Sequence, residues 1–212
     1  GPLPGMGRLR ARINHGLQVR EKRRYRDFIY WEPNYLLLPV ANRALATVHD
    51  LSHLRFPQYH PAERLLELRQ LPDSLRRARK IATVSEFTRR ELADFFSLDP
   101  ESIAIIPPAV SGVFRPHSEQ ECAEVREYYE LPDQFVLYAG TIEPRKNLPR
   151  LLQAYCDLPA ELQNRHKLVL AGGEGWHGQA FADALASVDS RNVILLGYVH
   201  REHMPALFSA AS

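Results

Sequence analysis

The sequence predicts an α/β fold made of two parallel-sheet domains, each incomplete, and three observations predict it. Short β-branched or apolar runs alternate with helical patterns along most of the chain, the order that builds parallel sheets with helical crossovers. The alternation occurs twice, on either side of a proline-containing stretch. The 212 residues are 45% hydrophobic and 25% charged, ordinary values for a globular protein. No apolar run reaches the roughly 20 residues that cross a bilayer.

Residues 1–26 come first and are basic. Arg8, Arg10, Arg12, Arg20, Lys22, Arg23, Arg24 and Arg26 face Glu21 alone, so the segment carries +7 and the rest of the chain −5 of the formal net +2. Leu9, Ile13 and Leu17 recur every four residues, which predicts a short helix with one apolar stripe and a basic face. Such a helix can pack on its own domain or rest on an anionic lipid surface. The start has no apolar signal-peptide core. Cys122 and Cys156 stand far apart without a CxxC pair, which suits a reducing, cytoplasmic setting rather than a disulfide framework.

DFIYWEP, ALATVHD, KIATVSEF and IAIIPP then read as strands closed by polar turns. Helical patterns fill 61–79 and 85–96, with Pro72 expected to break or kink the first and Ser85 to cap the second. Residues 107–133 carry PPAVSGVFRP and a short helix, ECAEVREYYE, and read as an interdomain connection. FVLYAG, HKLVLAGG and NVILLGYV give a second series, with helices near 148–158 and 179–187 and a last amphipathic stretch, HMPALFSAAS. The expected organisation is a part-domain at 1–106, the connection at 107–133 and a second part-domain at 134–212, each Rossmann-like. A doubly wound domain has about six strands, whereas four and then three are expected here.

In an open parallel sheet, ligands bind beyond the carboxyl ends of the strands. Gly140 and Thr141 end FVLYA, and Arg145 and Lys146 precede a helix for which Asn147 is a candidate cap and Pro149 a first-turn residue. Backbone N–H groups and two cations there suit a phosphate or diphosphate, although Glu143 can equally pair with either cation. His49 and Asp50 end ALATV, where the imidazole can donate to a sugar hydroxyl or move a proton and the carboxylate can start a turn. The spacing of His49, His53 and His60 is not that of a zinc site. Gly173, Gly175 and Gly178 form G-x-G-x-x-G, yet Gly197 and Tyr198 stand where a dinucleotide site places its acidic residue. A nicotinamide dinucleotide is therefore not expected.

Taken in order, TVHDLSHLRFPQYHP, IATVSEFTRREL, IIPPAVSGVFRP, YAGTIEPRKNLPRLLQAY, LVLAGGEGW and NVILLGYVHREHMPALFSAAS resemble the family 4 retaining glycosyltransferases of the GT-B fold, over residues 27 to 212. HDLSHLRFPQYHP is most similar to bacterial mannosyltransferases of lipopolysaccharide and exopolysaccharide assembly. The resemblance implies a nucleotide sugar, GDP-linked, as donor against the second domain, with no metal or other cofactor. It implies a glycan or lipid-linked acceptor against the first domain. It assigns Arg145 and Lys146, beside Gly140 and Thr141, to the donor diphosphate, His49 to the reacting centre, and Gly172 and Gly173 to the donor side. Tyr198 and Val199 fall to the nucleotide base, and Asp50 and Ser85 to the acceptor side.

The family's Gly-rich loop of the first domain and its E-x7-E segment are not found in the sequence, and Ala109 and Ser111 replace the usual Gly and Asp of the connection. The chain therefore reads as an internal portion of an enzyme, with weak or no turnover expected from it alone. The competing expectation is a catalytically incompetent fragment whose basic start binds a membrane or nucleic acid. Under the leading reading no nucleic acid is expected, and the basic start would meet an anionic membrane surface.

Overall fold

The computed structural model describes residues 27–38, 43–173, 175–176 and 179–212. The basic start, including the Leu9, Ile13 and Leu17 stripe, lies outside the described residues, as does Gly178. The chain divides into two compact units, residues 1–109 and 110–212.

In the first unit β1 (Ile29–Glu32), β2 (Arg43–Val48), β3 (Lys80–Thr83) and β4 (Ile103–Ile105) form a parallel sheet in sequential order. Two turns of helix follow β2, α1 (Ser52–Arg55) and a 3-10 turn at Pro57–Tyr59. The pattern at 61–79 is broken at the expected place, into α2 (Ala62–Leu68) and α3 (Leu71–Arg77), with Pro72 in the first turn of α3, where its missing N–H costs nothing. The next helix, α4 (Glu86–Phe96), starts at Ser85, whose hydroxyl accepts from the Thr88 N–H, and stops at Ser97 in the left-handed region. Val48, Ile81 and Ile103 pack with Leu68, Leu71, Leu75 and Leu92, so all three of these helices cover the same face of the sheet. On the other face Ile29 and Trp31 remain 74% and 57% exposed.

The second unit has β5 (Phe135–Ala139), β6 (Lys167–Ala171) and β7 (Val193–Gly197), again parallel and in order. Both faces are covered, which explains the near-continuous apolar strands. On one face α6 (Leu148–Cys156) and α8 (Gln179–Ala186) pack over Leu168, Leu170 and Val193; a further short helix, α7 (Ala160–Arg165), was not foreseen from the sequence. On the other face α5 (Glu119–Tyr128) and α9 (Met204–Ala210) pack over Phe135, Val169 and Ala171. Ser118 and Glu121 close a capping box at the start of α5, the reciprocal pairing that satisfies two orphan N–H groups. The helix expected within the connection is thus a layer of the second unit, because Cys122 and Val125 are needed to bury its sheet.

Candidate functional site

Three loops meet at the carboxyl end of the second sheet. Gly140 N–H donates to Ala171 O at 2.8 Å, Ile142 N–H to Gly173 O at 3.2 Å, Gly175 N–H to Ile142 O at 3.2 Å and Gly172 N–H to Gly197 O at 2.8 Å. The loops fit because of glycine. A Cβ on Gly172 would fall 1.9 Å from Gly140 O, and one on Gly175 would fall 2.7 Å from Ile142 O. Pairing skips a residue between Leu195 and Gly197, and Gly197 turns out of the strand at φ 66. Such a bulge re-aims the chain at the end of a strand. Gly140, Thr141, Gly172 and Gly173 are therefore brought together as expected of a donor-side surface, and Gly173 has open space where a side chain would stand.

Arg145 and Lys146 occupy a 3-10 turn, Pro144–Lys146, immediately before α6. Arg145 Nη2 donates to Glu143 Oε1 at 2.5 Å; the Glu143 side chain is 6% exposed and the Arg145 side chain 35%. The pairing left open by the sequence is thus made, and it fixes the guanidinium while leaving its other N–H donors available. Lys146 is exposed and its ammonium has no hydrogen bond or ion pair among the described residues. One expectation is corrected here. Asn147 stands at the N-cap but in the left-handed region, with no side-chain cap. Its carbonyl already accepts from Arg150 and Leu151 N–H, and Pro149 has none, so the helix end offers fewer free amides than a phosphate cradle needs. The two side chains carry the positive character instead.

Tyr198 projects outward, 74% exposed, and its ring meets His200 edge-on at 6.2 Å. Val199 is buried with Leu207 and Phe135, so its side chain is part of the core and only its backbone can face a ligand.

The first unit holds the remaining candidates. His49 follows β2 and is exposed, with Nε2 2.8 Å from Pro33 O. A carbonyl only accepts, so Nε2 carries a proton and Nδ1 is the nitrogen left for a ligand. The His49 carbonyl accepts from Thr88 Oγ1 at 3.2 Å, and Thr88 in turn meets Ser85 Oγ at 3.1 Å. The Ser85 hydroxyl is thereby occupied as the cap of α4. Asp50 Oδ1 accepts from Ser52 N–H at 3.1 Å, from Ser52 Oγ at 2.9 Å and from Tyr35 hydroxyl at 3.1 Å. The turn role suggested for Asp50 is therefore realised, and its free chemistry is small. His60 Nε2 meets Ser52 Oγ at 3.0 Å, and His53 is buried with Nε2 unpartnered among the described residues. Among the described residues no three His, Cys, Asp or Glu side chains gather to hold a metal ion.

Burial holds the His53 imidazole below its ordinary pKa; His60 and Arg64 push the same way and Asp50 opposes them. The folded state then binds fewer protons than the unfolded state around pH 6.5, so this group's contribution is complete above that pH and is lost as pH falls towards the folded value. Thermal unfolding between pH 7.5 and 5.5 should show stability falling with pH, and the slope should flatten in His53→Gln. An unchanged slope would remove His53 from the account.

Comparison with known proteins extends these observations. Residues 17–111 match the family described as Glycosyltransferase Family 4, and residues 125–212 match Glycosyl transferases group 1. The chain is 39% identical over 192 residues to O-antigen chain mannosyltransferase B of Escherichia coli, covering 89% of this chain and 50% of that protein. It is 36% identical over 97 residues to a serotype-specific mannosyltransferase of the same species, covering 45% of this chain and 12% of the other. The chain thus spans at most about half the length of these curated relatives. Among solved structures, Anabaena HepE in complex with UDP-glucose superposes with a TM-score of 0.64 at 14% identity over 92% of this chain and 54% of that one. WaaG, a glycosyltransferase involved in lipopolysaccharide biosynthesis, gives 0.57 at 16% identity over 81% and 52%. At these identities the likeness is one of fold, the GT-B fold. No helix among the described residues is long and apolar enough to cross a membrane.

Proposed function

We propose, from the premise that this chain belongs to the family 4, group 1 glycosyltransferases, that it carries the donor-diphosphate site of a retaining enzyme moving mannose or a related hexose from a nucleotide sugar to a glycan or lipid-linked acceptor. The observation that carries the reading is the meeting of Gly140 and Ile142 with Gly172, Gly173 and Gly175, and of Gly172 with Gly197, at one sheet end, with Arg145 fixed beside them and Lys146 unpaired among the described residues. As the glycosidic bond to the diphosphate breaks, negative charge grows on the leaving oxygen. Fixed cations stabilise that charge more in the transition state than in the ground state. The departing phosphate then takes the acceptor proton on the same face of the sugar, which retains configuration. His49, through Nδ1, accepts from or orients a hydroxyl at the reacting centre.

We read the donor as GDP-linked, as the family resemblance implies, and the UDP-glucose held by HepE makes the uridine donor the comparison. A thermal-shift panel of this chain with GDP-mannose, UDP-glucose, GDP and NAD tests the reading. A ligand at 100 times its dissociation constant adds about 2.7 kcal/mol. Stabilisation by one nucleotide sugar and not by NAD is the expected result; indifference of both this chain and the full-length protein to every nucleotide sugar would refute it. The charge of residues 8–26 and the reading of a lipid-linked acceptor support a peripheral position at the inner face of the cytoplasmic membrane. Co-sedimentation with phosphatidylglycerol vesicles, lost in a chain without those residues, is the expected outcome, and equal sedimentation would count against it.

A further inference from the structure

We propose that Tyr35 is the positioning residue of the first unit, holding His49 and Asp50 in a single arrangement at the carboxyl end of β2. The inference rests on the reading that His49 serves the reacting centre. Tyr35 lies in the left-handed region at φ 68 and is 7% exposed. An aromatic residue rarely adopts that backbone, and it persists only where the surroundings over-determine it.

Here the surroundings are the turn that carries His49. Tyr35 N–H donates to Thr47 O at 3.0 Å. Its hydroxyl donates to Asp50 Oδ1 at 3.1 Å and accepts from Asp50 N–H at 3.2 Å. Its ring meets His49 edge-on at 5.9 Å and His53 at 6.1 Å, and the Arg64 guanidinium lies 5.3 Å from its centroid. Two more bonds join the same segments, Trp31 Nε1–H to Thr47 Oγ1 at 2.9 Å and His49 Nε2–H to Pro33 O at 2.8 Å. A buried tyrosine needs one partner for its hydroxyl. This one both gives and takes at a single residue, which fixes backbone and carboxylate of Asp50 together. The imidazole of His49 is held between the Pro33 carbonyl and the Tyr35 ring. The 33–35 and 47–50 segments are therefore tied together, and Tyr35→Phe keeps the ring contacts but removes both hydroxyl bonds to Asp50, leaving its carboxylate on Ser52.

Tyr35→Phe separates these two contributions, and Tyr35→Leu, which also removes the aromatic ring, serves as the packing control. In this chain Tyr35→Phe should keep the far-UV spectrum, while exchange of the Asp50 amide accelerates by about tenfold or more and the 15N imidazole signals of His49 shift. In the full-length protein kcat should fall by about tenfold or more with the donor KM unchanged, since a displaced reacting group loses rate rather than binding. Unchanged Asp50 exchange and an unchanged His49 spectrum in Tyr35→Phe would make Tyr35 a packing residue and overturn the proposal. So would shifted spectra with an unchanged kcat. Protection of the same preparations by GDP-mannose or UDP-glucose reports separately on the transferase reading: protection without an effect of Tyr35→Phe sinks the positioning role alone, and absence of protection sinks the reading on which it rests.

Discussion

Lys146→Ala should cut the stabilisation of the chain by its nucleotide sugar to half or less while leaving the unliganded melting temperature where it was. Lys146 has no partner among the described residues to lose, so nothing in the unliganded fold depends on it. A hydrogen bond to a charged group is worth about 1.5–3 kcal/mol, so removing one diphosphate contact weakens binding by about 10- to 100-fold. Arg145→Ala should weaken binding at least as much but should also destabilise the unliganded chain, because it leaves the buried Glu143 carboxylate without its partner. An unsatisfied buried group of this kind costs about 1–3 kcal/mol, more when charged. Glu143→Gln on the Arg145→Ala background should recover the stability and not the binding. Urea unfolding of the three variants and the parent chain, with and without donor, measures both quantities. Unchanged donor affinity in Lys146→Ala and Arg145→Ala together would show that the cations belong to the surface and that the donor, if bound, lies elsewhere.

That division of labour between Arg145 and Lys146 marks the limit of what sequence reading could reach. The strands, their parallel order and the break at Pro72 were legible because β-branched runs, turn residues and a proline act locally. Arg145, Lys146, Gly140, Thr141, Gly172 and Gly173 were legible as neighbours because the carboxyl ends of parallel strands lie side by side. The cap at Asn147 misled. Asparagine is favoured both as a cap and in the left-handed region, and here it adopts the second, which turns its side chain away from the cap. The resemblance placed Tyr198 and Val199 together near the nucleotide base, whereas the fold exposes the first side chain and packs the second into the core. Glu143 was legible as a partner for either cation, since it lies two residues before Arg145, and the structure selects Arg145. Tyr35 carried no local signal, because its contact with Asp50, fifteen residues on, exists only in the tertiary fold.

The glycines of the 172–175 loop supply the second large effect, and they separate two causes that the sequence cannot. Gly172 and Gly173 are adjacent and chemically identical, yet a Cβ on Gly172 would lie 1.9 Å from Gly140 O and 2.6 Å from its carbonyl carbon, while a Cβ on Gly173 would meet nothing within 4 Å. Backbone, unlike the end of a long side chain, cannot swing away. Gly172→Ala must therefore push the 140–142 loop off the sheet end, breaking the bonds that tie Gly140 to Ala171 and Ile142 to Gly173. Overpacking of this kind costs about 1–3 kcal/mol and occasionally more, so the expected loss of stability is at the upper part of that range, together with loss of donor binding. Gly173→Ala should leave stability within about 0.5 kcal/mol, as surface substitutions do. If Gly173→Ala nevertheless abolishes protection by the nucleotide sugar, the open space beside Gly173 is where the donor approaches the backbone. If both alanine variants bind donor and unfold like the wild type, the loops do not meet as described, and the surface that holds Arg145 and Lys146 beside them loses its foundation.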